Sequence, residues 1–148
     1  MIVCEQSPIH PQHLLSLHHK FMAPEIIDQD RPSYGPPLDV YSFSMVLYQV
    51  LFEVLPFALD HCNMFLLAYE IMKGKRPLVP FVVATEGTAL NSIDNMDHVL
   101  FDEPKLWEWC SDPMHGAVDS CHTVKSLVKI MIACWHQDPT RRPTFDHI

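Results

Sequence analysis

Glycine is scarce in this chain of 148 residues, which holds only Gly35, Gly74, Gly87 and Gly116. No two of them stand at the spacing of a G-x-G-x-x-G loop, which excludes that kind of cradle for phosphate groups. Basic side chains are few as well: 10 Lys and Arg face 18 Asp and Glu, for a formal charge of −8. A broad basic surface for nucleic acid or anionic lipid is therefore excluded. The cysteines (Cys4, Cys62, Cys110, Cys121 and Cys134) are odd in number, irregularly spaced and form no C-x-x-C pair. With no signal-peptide pattern ahead of them, they argue against a secreted disulfide scaffold and for reduced thiols in the cytosol. Zinc sites show tightly paired ligands, so the histidines at 10, 13, 18 and 19 and the trio Cys110, Cys121 and His122 are not read as a metal centre. No internal repeat and no low-complexity tract is present.

A membrane span is nearly within reach. Residues 40–59, VYSFSMVLYQVLFEVLPFAL, approach the length required, but Glu53, Pro56 and the polar Ser42, Ser44 and Gln49 interrupt them, and no basic cluster flanks them. The segment reads instead as a helix inside a globular core. At 48% hydrophobic residues, the chain can build one such core and is too short for two full domains.

The first twenty residues, with Pro8, Pro11 and four histidines, read as loop, and DQDRPSYGPP cannot continue a helix. From Leu38 to Leu55, thirteen of eighteen residues are apolar, the pattern of a helix covered on nearly all sides. Asp39 stands where a carboxylate caps the first turn, and Pro56 marks the stop. A second helix spans 63–73, with Asn63 as N-cap and Gly74 ending it in the left-handed conformation. A third spans about 123–135, where Val124, Leu127, Val128, Met131, Cys134 and Trp135 share a face. Residues 80–122 between them hold eight acidic residues against Lys105 alone, a local charge of −7. There, FVVAT suggests a short extended piece and KLWEWC a short helix. Strand content is small and the fold class is mostly α.

The order of the motifs is more specific than any one of them: FMAPEI, a proline-rich gap, LDVYSFSMVLYQV, GKRPLVP, then ACWHQDPTRRPTF. This order resembles the C-terminal lobe of a protein kinase, of the tyrosine-kinase or tyrosine-kinase-like type, over roughly residues 20–80 and 123–148. In that family Ala-Pro-Glu ends the activation segment, Asp-Val-Tyr/Trp-Ser-Phe-Gly opens the buried central helix, and Cys-Trp-x-x-Asp-Pro-x-x-Arg-Pro-x-Phe lies near the end. The resemblance implies a partial kinase C-lobe: the end of the activation segment in 1–27, the central helix at 38–55, an acidic insertion at 80–122 and closing helices in 123–148.

It also implies roles. Glu25 pairs with the arginine of the closing motif, aligned as Arg142, across a core that includes Trp135. Independently of the family, a carboxylate among apolar neighbours is costly to bury unless an arginine meets it with two parallel hydrogen bonds. The alternative is an exposed helix-start carboxylate worth about 0.3 to 1 kcal/mol. Asp39 resembles the aspartate that holds the catalytic loop's backbone, an ordinary N-cap being the plainer reading. Lys20 and Phe21 fall in the loop that receives the substrate residue after the phosphoacceptor, although Phe21 also suits a core. Ser44 replaces a family glycine, and His18 stands where many relatives carry a threonine.

Equally informative is what the family uses and this chain lacks. Phosphoryl transfer needs a glycine-rich loop, a strand lysine, a catalytic-loop Asp and Asn and a metal-binding Asp. Neither His-Arg-Asp nor Asp-Phe-Gly occurs here. No catalytic, cofactor-binding or metal-binding residue is assigned; ATP and Mg belong to a full-length parent, with the missing parts expected upstream of Met1. The expected partner is a protein substrate or a regulatory protein, with no nucleic acid and no membrane span. The competing functional reading is a pseudokinase-like interaction module acting through the helix at 63–73 and the acidic insertion, itself either a docking surface or a solvated loop. An unrelated helical domain is the remote third.

Overall fold

The computed structural model describes residues 19–28, 34–58, 60, 63–83, 90, 93, 99–112 and 121–148. The expectations for the first eighteen residues, including His10, His13 and His18, and those for Cys4 and Cys62 lie outside them. Pro24 begins a single helical turn, α1 (Pro24–Ile27), with Glu25 in that turn.

Helix α2 (Pro36–Phe52) starts two residues before the expected Leu38, and the prolines are the reason. A proline in the first turn gives up an N–H that has no helical partner there, and its fixed φ suits the helix, so Pro36 and Pro37 open it instead of blocking it. Gly35 is the N-cap, which corrects the reading of Asp39 as cap: Asp39 lies inside the first turn and is exposed. The helix also ends early. Glu53 adopts the left-handed conformation at φ 54°, so the chain has turned before Pro56, which is itself buried beside Phe57.

Nor is α2 covered on all sides. Val40, Tyr41, Ser44, Met45, Tyr48, Leu51 and Phe52 form its buried face, while Val46 and Val50 face outward, Val50 at 69% exposure. Composition counted apolar residues; the structure covers one stripe of them.

Helix α3 (Met64–Met72) follows the sequence closely. The Asn63 side chain accepts from Phe65 N at 2.7 Å, and Gly74 closes the helix at φ 99°, donating to Ile71 O. In the acidic stretch, β1 (Val82–Val83) pairs antiparallel with β2 (Leu100–Phe101), Val82 opposite Phe101. Helix α4 (Glu103–Ser111) follows, with the Asp102 side chain accepting from Lys105 N. Of the acidic stretch, Phe81, Ile93, Val99 and Leu106 are buried, so its described part joins the core. Phe81, Phe52 and Trp109 form a triangle with ring centroids 5.5–5.8 Å apart, binding α4 to the end of α2.

Helix α5 (Cys121–Cys134) packs along α2, burying Val124, Val128, Met131, Ile132 and Cys134 completely. Leu127, expected on that face, is only partly buried, and Ile132 takes the inward position. Two 3-10 turns, Pro139–Arg141 and Phe145–His147, end the chain. Among the described residues no helix is long and apolar enough to cross a membrane.

Candidate functional site

The Ala-Pro-Glu turn and the closing Arg-Pro turn meet across the start of α2. Arg142 Nη1 lies 2.5 Å from Glu25 Oε1 and Nη2 lies 2.9 Å from Oε2, a bidentate pair between residues far apart in sequence. The guanidinium is fully buried and the Glu25 carboxylate is 12% exposed. Arg142 has further acceptors: Nε donates to His136 O at 2.9 Å and Nη1 to Pro37 O at 3.0 Å. The planar fork of arginine matches this arrangement, and a lysine could not serve all four acceptors. Arg141, the other candidate in the motif, is exposed.

Beside the pair sits a residue that sequence reasoning passed over. Arg76 donates through Nε to Trp135 O at 2.9 Å, through Nη1 to Lys75 O at 2.7 Å and through Nη2 to Gln137 Oε1 at 2.7 Å. Gln137 in turn donates to Met72 O at 3.0 Å, so the end of α3 is stitched to the segment after α5. Burial lowers the Arg76 pKa from the ordinary arginine range. Its signal in the sequence was a charged residue directly ahead of the apolar Pro-Leu-Val-Pro run at 77–80.

Both guanidinium carbons lie 5.1 Å from the centroid of Tyr41. This ring is the shared floor for one buried and one partly buried cation, an interaction favoured when the partners are desolvated. Burial pushes the Tyr41 phenol above its ordinary range against the pull of both arginines, and its hydroxyl finds no hydrogen-bond partner among the described residues.

Phe21 is partly buried against the core, and its carbonyl accepts from Ser42 Oγ at 2.9 Å, which ties the loop before Ala-Pro-Glu to α2. Lys20 is partly exposed beside it. Asp39 is not part of the Glu25–Arg142 cluster. Trp135 is fully buried, with Nε1 donating to Leu90 O at 3.2 Å. Ser44, standing where the family has glycine, is also fully buried, and its hydroxyl donates to Tyr41 O at 2.6 Å, so the extra polar group is satisfied within its own helix.

A cavity of about 290 Å³ opens between α1 and α3, with Met22, Ile26, Phe65, Tyr69 and Met72 among its walls. Phe65, Leu66 and Tyr69 on the outer face of α3 are exposed. Among the described residues, no group of three or more His, Cys, Asp or Glu side chains is placed to hold a metal. Burial pushes the Cys134 thiol up to about 12, so it behaves as a core residue.

Comparison with known proteins agrees with this geometry. The chain is 28% identical over 128 residues to mouse receptor-interacting serine/threonine-protein kinase 4, covering 86% of this chain and 12% of that protein. It is 24% identical over 125 residues to human ankyrin repeat and protein kinase domain-containing protein 1, covering 84% and 12%. It is 29% identical over 126 residues to the receptor-type guanylate cyclase gcy-28 of Caenorhabditis elegans, covering 82% and 8%. The chain thus spans about an eighth or less of the length of these relatives. The profile of the protein kinase domain matches residues 6–148, and with the helical architecture and the Glu25–Arg142 lock in place, the chain belongs to the protein kinase domain family.

Proposed function

We propose that this chain is the lower part of a kinase C-terminal lobe from a parent that transfers the γ-phosphate of ATP to a Ser, Thr or Tyr hydroxyl of a protein in the cytosol. The observation that carries the reading is the Glu25–Arg142 pair, because it fixes the end of the activation segment against α2. Ser42, holding the Phe21 carbonyl, fixes the adjoining loop. In this reading Lys20 and Phe21 present the surface that receives the residue following the phosphoacceptor. Asp39, exposed at the start of α2, is where a catalytic loop docks through its backbone N–H groups. The parent's ATP and Mg are held by residues outside this chain, since His-Arg-Asp, Asp-Phe-Gly and the glycine-rich loop are missing from it. The chain by itself positions a substrate segment and supplies no group that binds nucleotide or accepts the substrate proton.

The test compares this chain with any longer product of its gene in a transfer assay with γ-labelled ATP, Mg and a generic protein substrate. Label transfer by the longer product and none by this chain supports the proposal. Transfer by the chain itself overturns it.

A second reading, a non-catalytic interaction module, is favoured by exposed Phe65, Leu66 and Tyr69 on α3. A longer product that binds proteins through α3 yet transfers no phosphate selects it.

A further inference from the structure

A second cavity, of about 280 Å³, lies where the end of α2, the turn at Phe57, the run after α3 and helix α4 come together. Four rings wall it: Tyr48 and Phe52 from α2, Phe57 from the turn and Trp109 from α4. The Phe52 ring centroid stands 4.8 Å from that of Tyr48 and 5.7 Å from that of Trp109, so the walls support one another. Tyr48 donates its hydroxyl to Leu78 O at 3.0 Å, which satisfies that polar group within the wall. Phe57 takes its place with a left-handed backbone at φ 56°, a conformation that a bulky residue holds at a cost, and residues held in this way cluster at ligand clamps. Among the described residues that line the cavity, the one charged group is Asp60. Its carboxylate bonds Lys75 Nζ at 2.5 Å, and the same ammonium lies 3.3 Å from Glu70, so two carboxylates share one cation and the three groups together carry −1. Asp60 is close enough to Tyr48 to add to the rise that burial gives the phenol's pKa.

We propose that this cavity binds a small arylalkylamine, whose flat ring system lies among Tyr48, Phe52, Phe57 and Trp109 and whose short chain carries a primary ammonium to the Asp60 carboxylate. Size, wall chemistry and charge each select that class. A cavity of about 150 Å³ suffices for benzene, so one of about 280 Å³ admits a two-ring system with a short chain. Aromatic walls gain from offset or edge contacts with a further ring, beyond the area that it buries. No Lys or Arg lines the cavity among the described residues, whereas Asp60 does, so an anionic ligand is repelled. A ligand ammonium instead balances the charge that the Asp60, Lys75 and Glu70 group leaves over. Ala58 and Leu78 line the cavity and are exposed, so it opens to solvent. One wall, Trp109, belongs to the acidic stretch outside the motifs that carry the kinase resemblance, and the inference is independent of the kinase reading.

The experiment titrates the isotope-labelled full chain with three probes that share the indole ring and differ in charge: cationic tryptamine, neutral skatole and anionic indolepropionate, followed by heteronuclear NMR. Tryptamine should bind most tightly and indolepropionate least, with about tenfold or more between them. Chemical-shift changes should centre on Ala58, Asp60 and Trp109 and spare Trp107, which is exposed on the same helix. Ala58→Phe fills the opening from an exposed position and should weaken tryptamine by about tenfold with the melting midpoint unchanged. Asp60→Asn should erase the preference for tryptamine over skatole while skatole still binds. Absence of saturable tryptamine binding, shifts centred elsewhere, equal affinity for the three probes, unweakened binding in Ala58→Phe or a preference that survives Asp60→Asn overturns the proposal.

Discussion

Replacing Glu25 by alanine removes two acceptors from a guanidinium that has no access to water. Arg142 keeps His136 O and Pro37 O, but its positive charge loses the counter-ion bonded to it in a fully buried position. Stranding one member of a buried ion pair costs about 3–5 kcal/mol. The Glu25 carboxylate retains 12% exposure, so water reaches the vacated space and moves the expectation to the lower end, about 3 kcal/mol. For a domain of this size, about 1 kcal/mol lowers the melting midpoint by roughly 2–4 °C, so Glu25→Ala should melt about 6–12 °C below the parent. Thermal unfolding followed by circular dichroism reads this directly. Glu25→Gln retains the shape and one acceptor and should fall between the two. A drop of under about 2 °C in Glu25→Ala is what a carboxylate acting only through the dipole of a helical turn would give, and it refutes the buried-lock reasoning.

Arg76→Met leaves Trp135 O, Lys75 O and Gln137 without their donor and should cost about 2–3 kcal/mol in urea unfolding, while an unchanged midpoint contradicts the stitching role. Gly74→Ala places a β-carbon at φ 99° and should cost about 1 kcal/mol; a neutral result removes the left-handed closure of α3 as a determinant. Hydrogen bonds from Thr140 hold the Asp138 carboxyl below its ordinary value, so the stability it contributes is complete above the unfolded value near 3.8 and is lost as pH falls through the lower folded one. Asp138→Asn should therefore flatten the loss of stability between about pH 5 and pH 1, and parallel curves for the two proteins contradict that linkage.

The Glu25–Arg142 partnership was readable because each member sits in a short motif whose order along the chain is specific, and because burial of a lone carboxylate demands a cation. Asn63 and Gly74 were readable for a local reason: each acts on the backbone a few residues away. Arg76 was not, since its acceptors are mostly carbonyl groups, which every residue carries, and no spacing in the sequence marks them. The start of α2 was misplaced because proline breaks a helix interior yet suits its first turn, and the sequence near Pro36 satisfies both rules. Its exposed valines were misjudged because an apolar count carries no information about which faces have neighbours.

A double-mutant cycle on Glu25→Ala and Arg142→Met, measured by urea unfolding, isolates the energy of the contact itself. A coupling of about 2 kcal/mol or more is the expected result for a desolvated bidentate pair joining the Ala-Pro-Glu turn to the closing turn. A coupling below about 0.5 kcal/mol, the range of a surface ion pair, contradicts it.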